Sequence, residues 1–400
     1  MENISLPLSK SILNRCLMLS AISKTPIYYL PPEENLPNDV LVMKRLLFEN
    51  TSSVFDVEDA GTVFRFLSAY LAITPGEHRL LGTPRLNSRP IAPLVDALNN
   101  LGAKIMYCGK QGEAPLQIIG KKISGGEITL NASASSQFVS ALMLIAPLFT
   151  AGLKIKLSDV TSFPYLEITR KCLDFFGVES SIQGNVVQVE YTPEFKLKTN
   201  ELRTLETDWS SAAFWYALCA VTGKAFRFKN LSGKSIQGDF VCVELFKSLG
   251  VETTIDENEI QIKAITTEHN QLEFDLGACP DIAPALIVAC ALKNKSAKFY
   301  GLHTLVNKES NRVEVLQTEL KKININFLQE DLFWTLIPNT EVVFHPSALP
   351  VCHLLTYNDH RIAMAFASIK ALNNKIVIEN QECVKKSYPL FWNDFFRIFG

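Results

Sequence analysis

The sequence predicts a two-domain α/β protein assembled from repeated units, and three observations lead there. Four hundred residues, 47 % of them hydrophobic, exceed one compact core and carry apolar material for two. A helix-ending pattern recurs at Leu98-Asn99-Asn100-Leu101-Gly102, Leu173-Asp174-Phe175-Phe176-Gly177 and Leu245-Phe246-Lys247-Ser248-Leu249-Gly250. Six polar turns also open directly into helices rich in small apolar residues, near Ser9-Lys10-Ser11, Asp59-Ala60-Gly61-Thr62, Ser135-Ser136-Gln137, Asp208-Trp209-Ser210-Ser211, Pro280-Asp281 and Asp359-His360-Arg361.

Each element has a physical basis. Gly at the end of an apolar periodic stretch suits a left-handed helix C-cap, and strand-like segments follow at Ala103-Lys104-Ile105 and Val251-Glu252-Thr253. A fourth copy, Leu316 to Leu320, puts Lys321 in the glycine place, which predicts a poorer cap. Ser, Asp and Thr are natural N-caps, and alternating segments such as Glu127-Ile128-Thr129-Leu130 and Leu272-Glu273-Phe274-Asp275 precede several of them. Six units of about 65–75 residues group as three per domain. The polar, Pro-containing stretch 193–204 is the expected linker, so the lobes are 9–200 and 201–400, the second completed by residues 1–8.

Composition excludes several classes. With 39 Lys plus Arg against 41 Asp plus Glu, the chain has no general attraction to nucleic acid or an anionic membrane. Met1 to Lys10 lacks the form of a secretory signal, and the apolar runs Ala141–Leu153 and Ala283–Leu292 are shorter than the ~18 residues of a spanning helix. Nine cysteines without a CxxC read as buried free thiols in a reducing, cytoplasmic setting. Six scattered histidines offer no metal-ligand spacing, so neither a metal nor a cofactor is expected.

The chemistry-bearing residues sit at the helix starts. Lys10 and Arg15 begin one helix; Gly61, Thr62 and Arg65 begin another, with Arg85 and Arg89 nearby. Cations at a helix N-terminus are locally unfavourable unless an anion joins them, and Arg grips two oxygens at once. Ser135-Ser136-Gln137 reads equally as an N-cap or as hydroxyl and amide ligands, and Ser162 offers another hydroxyl. Asp281 reads as an N-cap or as a base. Lys308-Glu309-Ser310-Asn311-Arg312 reads as a salt-bridged face or part of a site. The helix after Asp359-His360-Arg361 is apolar enough to be buried, which puts His360 and Arg361 at the rim of a packed layer. Lys385 and Lys386 close the set. Together these predict a cleft between domains for small molecules bearing several negative charges.

From residue 5 to residue 389 the chain resembles the 3-phosphoshikimate 1-carboxyvinyltransferase family. The resemblance is carried by Ser9-Lys10-Ser11-Ile12-Leu13-Asn14-Arg15, Asp59-Ala60-Gly61-Thr62 with Arg65, Arg89-Pro90, Ser135-Ser136-Gln137-Phe138 and Pro164-Tyr165 before Ile168-Thr169. It continues through Asp208-Trp209-Ser210-Ser211-Ala212, Pro280-Asp281, Lys308-Glu309 with Arg312, Asn358-Asp359-His360-Arg361 and Lys386-Ser387-Tyr388-Pro389. It implies a two-domain enolpyruvyl-transferase fold, an inside-out α/β barrel of six β-α-β-α-β-β units. It also implies transfer of the enolpyruvyl group of phosphoenolpyruvate to the 5-hydroxyl of shikimate 3-phosphate with release of phosphate. That is a step of the shikimate pathway toward chorismate and aromatic amino acids.

The resemblance also assigns residues. Ser11, Arg15, Ser135, Ser136, Gln137, Ser162, Asp281 and Lys308 would hold shikimate 3-phosphate. Lys10, Arg89, Arg312, Arg361 and Lys386, with Gly61 and its neighbour Thr62, would surround phosphoenolpyruvate, His360 standing beside them. Asp281 and Glu309 would carry protons, helped by Lys10 and Lys386. No cofactor is implied, and family habit favours a monomer. Three positions depart from the family pattern: Leu8 for a Gly, Val306 for an Arg, and Asn311 for an Asp that would orient Arg312. A sister class acting on UDP-N-acetylglucosamine places a Cys ahead of the Arg matching Arg89, and Gly82-Thr83-Pro84-Arg85-Leu86-Asn87-Ser88 has none. A degenerate binding protein of the same fold is the remaining alternative.

Overall fold

A computed structural model describes residues 1–27, 30–133, 135–158, 162–198, 205–256, 259–267, 271–337 and 351–400. Contacts divide the chain into two compact units. The C-terminal unit comprises 1–8, which carries β1 (Glu2–Ile4), with 34–37 and 206–400; the N-terminal unit comprises 9–33 and 38–205. The expected boundary at 200/201 lies outside the described residues. The described part of the linker, 193–198, is irregular, and Lys198 pairs with Asp174 at 3.1 Å.

The N-terminal unit opens with α1 (Lys10–Ser23) and α2 (Asn38–Phe48). One segment then runs β2 (Val54–Asp56), α3 (Gly61–Ile73), β3 (Gly76–Leu81), α4 (Pro84–Asn87), α5 (Ala92–Asn100), β4 (Lys104–Tyr107), β5 (Leu116–Gly120). The next runs β6 (Gly126–Asn131), α6 (Ser136–Ile145), β7 (Leu153–Ser158), α7 (Pro164–Phe175), β8 (Ser180–Gln183), β9 (Val186–Val189). Each builds a four-stranded mixed sheet, ordered β2-β3-β5-β4 and β6-β7-β9-β8. The first pair is parallel, joined through a helix, and the last strands form an antiparallel hairpin.

The C-terminal unit repeats the plan. From α8 (Trp209–Thr222) the chain continues β10 (Phe226–Lys229), α9 (Cys242–Lys247), β11 (Val251–Ile255), β12 (Glu259–Ala264), and β1 completes the sheet β1-β10-β12-β11. Then β13 (Gln271–Asp275), α10 (Ala283–Leu292), β14 (Ser296–Tyr300), α11 (Arg312–Lys321), β15 (Asn326–Gln329) and β16 (Trp334–Ile337) give β13-β14-β16-β15. Last come β17 (Cys352–Leu355), α12 (His360–Leu372), β18 (Ile376–Glu379) and α13 (Phe391–Phe399), with β17 and β18 forming a two-stranded sheet among the described residues.

The α/β architecture with mixed sheets stands, but the expected barrel does not. Among the described residues every sheet is open, with two end strands, and four sheets rather than six carry the full strand–helix pattern. The physical reason lies in the helices. α8, α10 and α12 are buried along nearly their whole length and pack on one another, so helices fill the middle of the unit. The sheets cover them with one face only, as the exposed–buried alternation of β13 shows, and need not close on themselves.

The helix ends follow the sequence closely. Gly102, Gly177 and Gly250 have φ of 101°, 78° and 79°, the left-handed region where a side chain is strained. In the fourth copy the left-handed residue is Asn324 (φ 62°), not Lys321. Ile325 N–H donates to Leu320 O at 3.0 Å, just as Ala103 N–H donates to Leu98 O at 2.9 Å. Asn tolerates that conformation and so rescues the cap three residues later. Of the nine cysteines, six are buried thiols, Cys352 and Cys383 are half-buried, and Cys108 is exposed, against expectation, because it follows the outer strand β4. No described helix is long and apolar enough to cross a membrane.

Candidate functional site

Each unit gathers its polar residues at helix starts, and the two gatherings differ in kind. In the N-terminal unit α1, α3, α6 and α7 pack on one another. Arg15, 2 % exposed on α1, donates from Nε to Thr169 Oγ1 at 2.7 Å and from Nη2 to Ser140 Oγ at 3.2 Å and Tyr165 O at 3.3 Å. Its Nη1 donates to Ser11 O at 2.6 Å, and the guanidinium lies over the Phe66 ring. These acceptors are neutral, so burial lowers the Arg15 pKa. Arg15, expected to hold shikimate 3-phosphate, also ties α1 to α6 and α7.

Lys10, the first residue of α1, pairs with Asp39 Oδ2 at 3.0 Å, and both side chains are mostly buried. Asp39, in the first turn of α2, was not anticipated. Gly61 begins α3 between two guanidiniums: a Cβ there would lie 2.6 Å from Arg89 Nη1 and 2.9 Å from Arg65 Nη1. Neither Ser9 before α1 nor Ala60 before α3 caps its helix with a side chain, so those N–H groups remain for another acceptor. Ser135, by contrast, is a true N-cap, accepting from Gln137 N–H at 3.2 Å. Gln137 Nε2 donates to Thr62 Oγ1 at 3.0 Å, which ties α6 to α3. Ser136 is buried, and Ser162 is buried in a left-handed turn (φ 57°) just before α7.

In the C-terminal unit the expected residues form one ionic cluster. Asp281, in a short 3-10 turn ahead of α10, receives Arg361 Nη2 at 2.8 Å on Oδ2. Its Oδ1 faces Arg312 Nη1 at 3.1 Å and Lys308 Nζ at 3.5 Å. Glu309 receives Arg312 Nη2 at 2.9 Å and faces Lys386 Nζ at 3.7 Å. Burial pushes the Asp281 carboxyl up, but Arg361, Lys308 and Arg312 outweigh it and hold the group well below the usual carboxylate range. Lys308 is lowered, chiefly by burial, although Asp281 opposes the shift.

Two acids enlarge this cluster beyond the sequence-based expectation. Asp359 caps α12, accepting Arg361 N–H at 3.0 Å, and also binds Arg312 through Nε at 2.8 Å and Nη2 at 3.2 Å. Asp239, buried in a 3-10 turn before α9, accepts from Ser210 Oγ; burial and then Asp281 push its carboxyl up to about 7. Asp359 was legible as a helix cap, whereas nothing in the sequence around Asp239 signals its place. His360, at 1 % exposure, is enclosed rather than at a rim, because the first turn of α12 itself lies inside the helix layer. The three departures have definite places in the fold. Asn311 caps α11, accepting Glu314 N–H at 3.4 Å, and Asp359 supplies the carboxylate that orients Arg312. Leu8 pairs with Thr207, and Val306 is exposed in a 3-10 turn.

Repeated mixed-sheet units with cations massed at helix starts define an α/β protein equipped for small, multiply charged anions. Residues 33–395 match the family described as EPSP synthase (3-phosphoshikimate 1-carboxyvinyltransferase). The chain belongs to that family. It is 38 % identical over 394 residues to a 3-phosphoshikimate 1-carboxyvinyltransferase of Bacteroides fragilis, covering 98 % of this chain and 93 % of that protein. A protein of the same name from Pseudoalteromonas translucida is 30 % identical over 414 residues, covering 98 % and 95 %. Among solved structures, an EPSP synthase from Acinetobacter baumannii superposes with a TM-score of 0.74 at 22 % identity, over 99 % of this chain and 95 % of that one.

Proposed function

We propose that this protein transfers the carboxyvinyl group of phosphoenolpyruvate to the 5-hydroxyl of shikimate 3-phosphate and releases inorganic phosphate. The observation that carries the reading is the match to carboxyvinyltransferases along nearly the whole chain. The C-terminal cluster, with two carboxylates among four cations, supplies fitting chemistry.

In this reading Asp281 takes the proton of the 5-hydroxyl as its oxygen bonds to C2 of the enol. Its depressed pKa keeps it ionised at neutral pH, the form that accepts a proton. Glu309 delivers a proton to the methylene carbon, which places positive character on C2 and leaves a tetrahedral intermediate. Breaking the bond from C2 to the phosphate oxygen, with the proton held by Asp281 passing to the departing phosphate, and returning a methyl proton to Glu309 then gives the enol ether and releases inorganic phosphate. Lys10, Arg89, Arg312, Arg361 and Lys386 offset the charge of phosphoenolpyruvate and the leaving phosphate, with the open start of α3 at Gly61 and Thr62. Ser11, Arg15, Ser135, Ser136, Gln137, Ser162 and Lys308, with Asp281, hold shikimate 3-phosphate, and His360 stands beside the arginines at phosphoenolpyruvate. The protein is taken to be a cytoplasmic monomer, in surroundings that keep its thiols reduced.

A phosphate-release assay with both substrates, against each alone, tests this. Release only from the pair is expected. Release with UDP-N-acetylglucosamine as acceptor, or binding without release, would overturn it.

A further inference from the structure

We propose that Asp359 is a positioning residue that draws Arg312 away from Asp281 and Glu309, leaving those two carboxylates free enough to exchange protons. This rests on the carboxyvinyl-transfer reading and adds to it a residue outside the proton-carrying pair.

Arg312 is wedged among three carboxylates. Asp359 takes it in a two-pronged grip, Nε at 2.8 Å and Nη2 at 3.2 Å, whereas Asp281 and Glu309 each receive a single N–H, at 3.1 and 2.9 Å. A forked pair is the stronger geometry, so Asp359 sets where the guanidinium rests. Asp359 is itself immobilised. It is 0 % exposed, and its two oxygens take four donors: Ser310 Oγ at 3.1 Å, Arg312 Nε and Nη2, and Arg361 N–H. Four is the acceptor capacity of a carboxylate. Its place ahead of the thirteen-residue α12 adds the positive end of a helix dipole to those four donors. Burial alone would lower the Arg312 pKa, but the three carboxylates raise it, Asp359 contributing most among them.

The groups in play surround the cluster from every element. Asp281 faces Arg361 on α12, Lys308, Glu309 and Arg312 at the start of α11, and Asp239 and Cys279. Glu309 faces Arg312 and Lys386, and Asp359 also faces His360 and Cys383. If the grip of Asp359 is removed, the charge of Arg312 falls on Asp281 and Glu309 and makes both weaker bases.

Asp359→Asn is the informative variant. Asn caps a helix as well as Asp does and can still accept Arg361 N–H, so the fold is kept. Its amide, however, cannot accept from both Arg312 nitrogens and Ser310. The expected result is a fall in kcat of about 10–100-fold, less than the ~10²–10⁴-fold of losing an acid–base group outright, with the KM for shikimate 3-phosphate little changed. The acidic limb of the kcat–pH profile should move to lower pH. A crystal structure of the D359N variant should show the Arg312 guanidinium turned toward Asp281 and Glu309. Ser310→Ala, which removes one bond to Asp359 but leaves the fork, should keep the limb in place.

An unmoved limb with unchanged kcat in D359N, or a loss of stability with every kinetic constant falling together, would overturn the proposal. So would an unmoved Arg312 in the variant structure. If the unaltered protein releases no phosphate from the substrate pair, the functional reading fails on its own, and the variant structure still decides the fate of the Asp359 grip.

Discussion

The two units hold their buried arginines in opposite ways. In the N-terminal unit Arg15 is surrounded by hydroxyls and carbonyls, so its charge is desolvated and uncompensated by those partners. In the C-terminal unit Arg312 is clasped by three carboxylates, and charge is balanced locally. Similar mixed-sheet units thus hold one buried arginine among neutral acceptors and the other in a cluster where acids and cations hold each other in register. The first arrangement favours attraction of an anion; the second favours movement of protons at fixed positions.

Substitutions can break that contrast, and the largest effect belongs to turnover. Glu309→Gln keeps the shape of the cluster but removes a proton carrier, so kcat should fall about 10²–10⁴-fold with substrate binding retained. Steady-state kinetics beside calorimetric binding check this, and near-normal turnover would remove Glu309 from the mechanism. Next comes stability in the C-terminal unit. Arg312→Met leaves the fully buried Asp359 without its arginine and should cost about 3–5 kcal/mol in urea unfolding. Arg15→Met, of similar shape, leaves only neutral acceptors and should cost about 1–3 kcal/mol. Equal costs for the two arginines would dissolve the contrast.

A pH series sharpens it further. Asp239 has a folded pKa of about 7, above its unfolded value, so the folded protein binds the extra proton between roughly pH 4 and 7 and loses stability as pH rises through that window. Asp239→Asn should therefore raise stability at pH 8 by about 2 kcal/mol and flatten the dependence; denaturant titrations at pH 5 and 8 measure it. Asp281 behaves oppositely: its depressed pKa contributes stability that is present above the unfolded value and is lost as pH falls below about 4. The smallest effect is expected for Ser140→Ala, which removes one neutral acceptor of Arg15 and should cost about 1 kcal/mol by thermal unfolding.

Much of this was legible in the chain before any coordinates. The helix ends at Gly102, Gly177 and Gly250 were, because a left-handed cap is a local demand on one residue. So were the caps at Ser135, Asp208 and Asp359, since a side chain there bonds to a backbone N–H two or three residues on. Lys308, Glu309, Arg312, Asp281, Arg361 and Lys386 were picked out by resemblance, and they do converge. The partners that tune them were not. Asp39 lies 29 residues from Lys10, Asp239 lies 29 from Ser210, and Asp359 lies 47 from Arg312, separations that no local pattern encodes.

Local sequence by itself determined the helix boundaries, the repeating strand–helix plan and the stock of ionisable groups, because each depends on neighbours within a turn or two. Only the tertiary structure decided that the sheets stay open, that His360 is enclosed, and that Arg15 meets hydroxyls while Arg312 meets acids. Charge is the reason. The state of a buried ion depends on which distant groups packing brings within a few ångströms, where the low polarity of the interior magnifies every such encounter.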